Sequence, residues 1–175
     1  MSKVLVVIDM QNDFIDGALG SPEALAIVPK VIQKIKEFEG FIIFTRDTHT
    51  ELYLNTLEGK KLPVAHCIRD SFGWQIQEEI FTATRDKKFE IIDKPTFGSM
   101  KLAERLAELH QQYGIENITL IGLCTDICVI TNAMNIKSTL WETPICVDAA
   151  CCAGVTPESH LNALEAMKMC HIDVM

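Results

Sequence analysis

The chain has 175 residues, 48% of them hydrophobic, which predicts one domain with a sizeable core over residues 1–175. A formal net charge of −8, with lysines and arginines scattered along the chain, argues against binding to nucleic acid. We expect no signal peptide, since the first residues lead directly into an apolar strand; no apolar run reaches membrane-spanning length, and the seven cysteines are an odd number. We therefore expect reduced thiols, no membrane segment and a cytoplasmic protein.

Five apolar runs, with a sixth near the end, are typical of parallel strands because they are continuous rather than alternating. They lie at residues 4–8, 41–44, 89–92, 118–122, 144–147 and 171–174. Helical patterns lie between them, at residues 29–38, 99–113, about 126–140 and from the N-cap Thr156 onward. This alternation predicts an α/β three-layer sandwich with a mostly parallel, doubly wound central sheet and helices on both faces.

Residues that can do chemistry follow four of these strands. They are Asp9, the pair Asp47 and His49, Lys94, and Cys128. Because ligands of a parallel sheet bind outside the carboxyl ends of the strands, we expect these side chains to converge. An acid, a lysine and a cysteine together suit an activated thiol: Asp9 takes the proton, while Lys94 and the start of a helix favour the thiolate of Cys128.

A metal site is indicated in the same region. Asp47 and His49 are two residues apart, so they point to the same side of an extended segment. Residues 50–71 have no clear periodicity, which is typical of a functional loop, and they contain Glu58 and His66. Two histidines and two carboxylates suit Zn, Fe or Mn. The residues alone leave open that both histidines are loop side chains bonded to the backbone.

Three segments resemble the signature segments of the isochorismatase-like cysteine hydrolase superfamily, and the resemblance spans nearly the whole chain. They are residues 6–14 (VVIDMQNDF), 93–97 (DKPTF) and 122–129 (GLCTDICV), the last followed by TNA at 131–133. In that family the matching Asp9, Lys94 and Cys128 form the catalytic triad. The resemblance also implies a cis peptide between Leu123 and Cys124, and an oxyanion hole made by the amides of Cys124 and Cys128. Cys124, the competing nucleophile, matches a position usually filled by a small residue.

The metal pattern resembles the nicotinamidase branch, whose members carry an Asp-x-His pair, a later histidine, and a histidine or glutamate as further ligand. That resemblance implies one divalent metal ion per chain, with Zn preferred and Fe or Mn as alternatives. Its ligands would be Asp47, His49, Glu58 and His66, with Glu51 as an alternative to Glu58.

The chain departs from that branch at one point. Many nicotinamidases have an aromatic residue shortly before the last metal histidine, where this chain reads LPVA at residues 62–65. Phe14, Leu19 and Phe97 are therefore expected to form most of the substrate pocket.

These observations predict a nicotinamidase that converts nicotinamide to nicotinate and ammonia through a thioester on Cys128. The alternatives are another small-amide or carbamoyl hydrolase of the superfamily, and a non-catalytic metal- or redox-binding domain that uses the cysteines at 124, 128, 151 and 152. The expected partner is a small-molecule amide, and a homo-oligomer is left open. We expect His110, His160 and His171 to be structural, and Cys151 and Cys152 to be core or wall residues in a loop.

Overall fold

The computed structural model describes residues 3–175 and contains one six-stranded sheet in the order β3-β2-β1-β4-β5-β6. The strands are β1 (Lys3–Ile8), β2 (Phe41–Asp47), β3 (Phe89–Lys94), β4 (Asn117–Leu123), β5 (Ile145–Ala153) and β6 (Asp173–Val174). The helices are α1 (Asn12–Ile15), α2 (Pro22–Glu37), α3 (Leu57–Lys61), α4 (Glu78–Thr82), α5 (Met100–Tyr113), α6 (Ile130–Thr139) and α7 (Pro157–Met169). Every strand pair is parallel, so the predicted α/β fold is confirmed and the sheet is more uniform than predicted.

The side chains of β1 divide the core into two layers. Val4, Val6 and Ile8 pack on the face covered by α5, α6 and α7. Leu5 and Val7 pack on the opposite face, which is covered by α2 and α4. Because both faces are covered, every position of the strand can be apolar, and each fully buried side chain contributes about 1.5–3 kcal/mol.

Helix α2 begins earlier than the sequence pattern predicted. Its N-cap is Ser21, whose hydroxyl accepts a hydrogen bond from the amide of Ala24. Pro29, the predicted start, lies inside the helix. Pro29 and Leu25 are both exposed, so the Leu25 carbonyl that loses its amide partner can bond to water.

The third predicted helix has an irregular start. Residues Thr125–Val129 form a π-helical turn, in which the amide of Val129 donates to the carbonyl of Cys124, and the α-helix begins only at Ile130. Such turns are frequent at functional sites. This one carries Cys128 at the carboxyl end of β4.

The remaining helices that the sequence predicted lie as expected. Ser99 caps α5 and Gly114 ends it with a φ of 65°, a left-handed conformation that favours glycine. Thr156 caps α7 with Pro157 as its first residue.

Short elements escaped the sequence pattern because four or five residues show no periodicity. These are α1, α4 and, within the segment 50–71, a 3₁₀ turn (Tyr53–Asn55) and α3. Cys151 and Cys152 lie in β5 rather than in the predicted loop, because β5 runs on past an irregular register against β4. Over the residues described, none of the helices combines the length and apolarity needed to cross a membrane.

Candidate active site

The three predicted catalytic residues meet at the carboxyl edge of the sheet. Asp9 follows β1, Lys94 ends β3, and Cys128 lies in the π-helical turn after β4. The Nζ atom of Lys94 lies 2.7 Å from Oδ2 of Asp9 and 3.6 Å from Sγ of Cys128. All three side chains are buried. Residues that are far apart in sequence are therefore held within contact distance.

Local backbone geometry positions Asp9. Its φ is 48°, a left-handed conformation that aspartate tolerates better than most residues. The hydroxyl of Thr45 donates to Oδ1 of Asp9 at 2.7 Å. Gly122 has a φ of 117°, and a Cβ atom there would collide with the carbonyl of Ile8. Only glycine lets β4 lie this close to the end of β1.

Burial also determines the protonation of Asp9 and Cys128. Burial raises the pKa of Asp9, although the charge of Lys94 opposes the rise. Burial also raises the pKa of the Cys128 thiol well above its usual value, and the charge of Asp9 adds to the rise. Lys94 favours the thiolate, as predicted, but burial outweighs it. The arrangement is a neutral thiol beside a carboxylate of raised pKa, which suits proton transfer to a general base.

Lys94 itself stays charged. Burial, the largest single effect, would lower its pKa, but the charges of Asp9, Cys128 and Asp47 together outweigh burial and raise the pKa above its usual value. Its Nζ also donates to the carbonyl of Thr96 at 3.0 Å, which holds the ammonium group at the bend after β3.

The four predicted metal ligands also meet. One ligand atom from each of Asp47, His49, Glu58 and His66 lies within 4.8 Å of the others. Nε2 of His49 is 3.0 Å from Oδ2 of Asp47 and 3.6 Å from Oε1 of Glu58. Nε2 of His66 is 3.6 Å and 3.8 Å from the same two oxygens. Glu51 is exposed and lies outside this group.

This donor set fits a divalent ion. Ligands about 2.0–2.2 Å from one tetrahedral ion stand roughly 3.3–3.6 Å from one another, close to the distances between these atoms. The Nδ1 atom of His66 bonds to the carbonyl of Val64 at 2.8 Å, so Nε2 faces Asp47. The group contains no cysteine, which argues against the alternative in which the cysteines at 124, 128, 151 and 152 bind the metal.

Asp47 is ionised within this group. Burial would raise its pKa, but hydrogen bonds from His49 and His66 together with the charge of Lys94 hold the pKa well below its usual value. Burial would lower the pKa of His66, yet its hydrogen bonds to Asp47 and Val64 and the charges of Asp47 and Glu58 together raise it. Burial raises the pKa of Glu58.

Lys94 joins the two groups into one site, because its Nζ also lies 3.5 Å from Oδ1 of Asp47. Gln11 holds Asp47 from the other side: its Nε2 donates to the Asp47 carbonyl at 2.8 Å, and its Oε1 accepts from the Asp47 amide at 2.7 Å. Sequence reasoning missed Gln11, although it lies within the first signature segment. Asn132, in the TNA segment, was also missed, and its Nδ2 donates to the carbonyl of Cys128 at 2.8 Å.

A cavity of about 470 Å³ opens onto both groups. Asp47, Glu58, His66 and Cys128 supply its reactive polar surface. The predicted pocket residues all line it, together with apolar residues that were not predicted. These lining residues are Phe14, Leu19 and Phe97 as predicted, and Ala24, Leu62, Leu123, Ile127 and Val155 in addition.

Cys124 lines the cavity beside Cys128, and its peptide bond to Leu123 is cis, as the resemblance implies. Burial raises the pKa of Cys124 to about 12, so its thiol is neutral. Of the remaining histidines, His160 pairs through Nδ1 with the hydroxyl of Thr125 at 2.8 Å.

Comparison with known proteins agrees with this geometry. A family model described as an isochorismatase domain matches residues 3–175. The nicotinamidase of Saccharomyces cerevisiae is 22% identical over 217 residues, which cover 99% of this chain and 99% of that protein. A pyrazinamidase/nicotinamidase structure from Streptococcus mutans has a TM-score of 0.84 and 25% identity, covering 99% of this chain and 100% of that one. The pyrazinamidase of Pyrococcus horikoshii in complex with zinc has a TM-score of 0.77 and 27% identity, covering 100% and 99%.

Proposed function

The chain belongs to the isochorismatase family, and we propose that within this family it is a nicotinamidase, an amidase that hydrolyses nicotinamide to nicotinate and ammonia. The observation that carries the proposal is that Cys128 and the metal-ligand group line one cavity. A pyridine carboxamide has an amide for the thiol and a ring nitrogen for a metal ion. A compound with both groups fits this site better than an amide without a ring nitrogen.

In the proposed mechanism, Asp9 removes the proton of the Cys128 thiol and the sulfur attacks the amide carbon. The backbone amides of Cys124 and Cys128 stabilise the oxyanion of the tetrahedral intermediate. Asp9 returns the proton to the leaving nitrogen, so the carbon–nitrogen bond breaks and ammonia departs. Water then attacks the thioester carbon and Asp9 accepts one of its protons. As the carbon–sulfur bond breaks, Asp9 returns that proton to the sulfur of Cys128, and the acid leaves as nicotinate after releasing its own proton to solvent. Lys94 keeps Asp9 in place through both stages.

We propose that Asp47, His49, Glu58 and His66 hold one divalent ion, with zinc preferred and iron or manganese as alternatives. When bound, such an ion would take the pyridine nitrogen as a ligand beyond the four that these residues supply, by expanding its coordination. Phe14 lies beside the metal-ligand group, since its ring centroid is 5.5 Å from that of His66. Phe14, Leu19 and Phe97 would then exclude water and hold the ring with its amide toward Cys128.

We also propose that the protein is cytoplasmic. None of the seven cysteines is in a disulfide in the residues described, and reduced thiols are typical of the cytosol.

The test is ammonia release from a panel of amides, namely nicotinamide, pyrazinamide, benzamide, a carbamoyl compound and an aliphatic amide. Nicotinamide and pyrazinamide should be hydrolysed far faster than benzamide, which has the same ring size but no ring nitrogen. Cys128→Ala protein is the control for contaminating amidase. If the carbamoyl compound or the aliphatic amide is preferred, the chain is another amidase of the family and the nicotinamidase assignment is wrong.

A further inference from the structure

Tyr53 contacts both histidines of the metal-ligand group without being a candidate ligand itself. Its side chain is 1% exposed. Its ring centroid lies 4.7 Å from that of His49 and 4.9 Å from that of His66, and the two imidazoles are 4.9 Å apart. The three rings therefore form a closed triangle. Tyr53 lies outside the set of residues that line the cavity, so it packs behind the histidines rather than against a substrate.

The two histidines are held differently by hydrogen bonds. A metal-binding histidine nearly always anchors its second ring nitrogen on a carbonyl, a carboxylate or water. His66 does so, through the bond from Nδ1 to Val64. Within residues 3–175 the His49 ring forms a hydrogen bond only through Nε2, to Asp47, so its second nitrogen has no protein partner. The close packing of Tyr53 is a further constraint on the orientation of His49.

We propose that Tyr53 is a positioning residue of the metal site, whose ring keeps Nε2 of His49 and of His66 directed at the metal ion. This inference rests on the metal site of the proposed function. The Tyr53 ring is inclined by 57° to that of His49 and by 73° to that of His66, so the contacts are tilted or edge-on rather than stacked. The ring supplies the constraint because it fills the space into which each imidazole would otherwise rotate about its side-chain bonds.

The hydroxyl of Tyr53 has a separate role. It donates to the carbonyl of Leu62 at 2.9 Å. Leu62 is the C-cap of α3, lines the cavity and is 38% exposed, so it lies at the opening. The bond ties the 3₁₀ turn to the end of α3. Gly59 permits α3 to pack closely on the 3₁₀ turn, because a Cβ atom there would collide with the backbone carbonyl of Tyr53. The ring thus acts on the metal ligands, and the hydroxyl acts on the rim of the pocket.

Two substitutions separate these roles. Tyr53→Leu removes the ring and the hydroxyl, whereas Tyr53→Phe removes the hydroxyl alone. Phe44→Leu is the matched control, because Phe44 is a fully buried aromatic residue whose ring packs on Phe89 rather than on a metal ligand. Protein stripped with chelator is titrated with Zn²⁺ against a chromogenic chelator, after thermal melting has shown that each variant is folded.

We expect Tyr53→Leu to weaken zinc binding by roughly 10-fold or more, the loss typical of residues that orient metal ligands. Tyr53→Phe and Phe44→Leu should keep the wild-type zinc affinity. Wild-type zinc affinity in Tyr53→Leu, or an equal loss in Phe44→Leu, would show that Tyr53 is only a core residue. If Tyr53→Leu does not fold, Tyr53→Met is judged by the same criterion, because methionine fills irregular space without an aromatic face.

For the hydroxyl, Tyr53→Phe should raise KM for nicotinamide while kcat stays near the wild-type value, since the rim contacts bound substrate and not the reacting atoms. An unchanged KM would overturn this part of the inference. If wild-type protein releases no ammonia from nicotinamide, the proposed function fails, whereas the zinc titration still decides the role of the ring.

Discussion

Replacing Lys94 with methionine tests how the thiol is activated, because Lys94 is the positive charge beside Cys128. The 3.6 Å distance between Nζ and Sγ corresponds to about 4–5 kcal/mol in favour of the thiolate at an effective dielectric constant of about 20. That energy equals a change in the thiol pKa of ~3 pH units. Asp9 becomes protonated more readily once Lys94 is gone, and losing its negative charge offsets part of the effect. We expect the pKa of the Cys128 thiol to rise by ~1–3 pH units.

The measurement is the rate of alkylation of Cys128 by iodoacetamide, followed from neutral to alkaline pH with saturating zinc and mapped by peptide mass spectrometry. Lys94→Met should shift the profile to higher pH, because less thiolate is present at any given pH. Lys101→Met, at an exposed position, is the control and should leave the profile unchanged. Removing the partner of a buried carboxylate costs about 3–5 kcal/mol of stability, so folding is verified first. An unchanged profile would show that Lys94 is structural and does not activate the thiol.

Three further predictions follow from the site. Cys128→Ala should fold normally but lose at least ~10³-fold in turnover, and quenched wild-type protein should carry an acyl adduct on Cys128 and on no other cysteine in peptide maps. His49→Ala should remove the metal and most nicotinamide hydrolysis. Glu58→Ala should weaken metal binding less because Glu58 is partly exposed, and Glu51→Ala should change neither metal binding nor hydrolysis. Equal losses of metal in the two glutamate variants, seen by elemental analysis, would contradict this ligand set. Zinc affinity should fall as the pH drops through the raised pKa of His66, because a metal ion must displace the proton there, and a flat affinity profile would show that His66 is not a ligand.

The sequence by itself determined the class of fold and the edge at which the site forms. Continuous apolar runs such as 4–8 and 118–122 require cover on both faces, which a parallel sheet between helices provides. In such a sheet all carboxyl ends lie on one edge, so Asp9, Lys94 and Cys128 had to approach one another once they followed three of its strands. Helix ends marked by local hydrogen bonds, as at Ser99 and Thr156, were equally readable, because a cap depends on residues only a few positions away.

Only the tertiary structure determined the distances between the side chains of the site. The position of Lys94 between Asp9 and Asp47 depends on the register of β3 against β2 and of β2 against β1, which no local pattern encodes. The choice of Glu58 over Glu51 depends on α3, a helix too short to show periodicity. The burial that raises the pKa of the Cys128 thiol is the sum of contacts from several elements. Local features such as helix caps depend on neighbouring residues and can be predicted from them. Distances between side chains from different strands and loops are set by how the whole core packs.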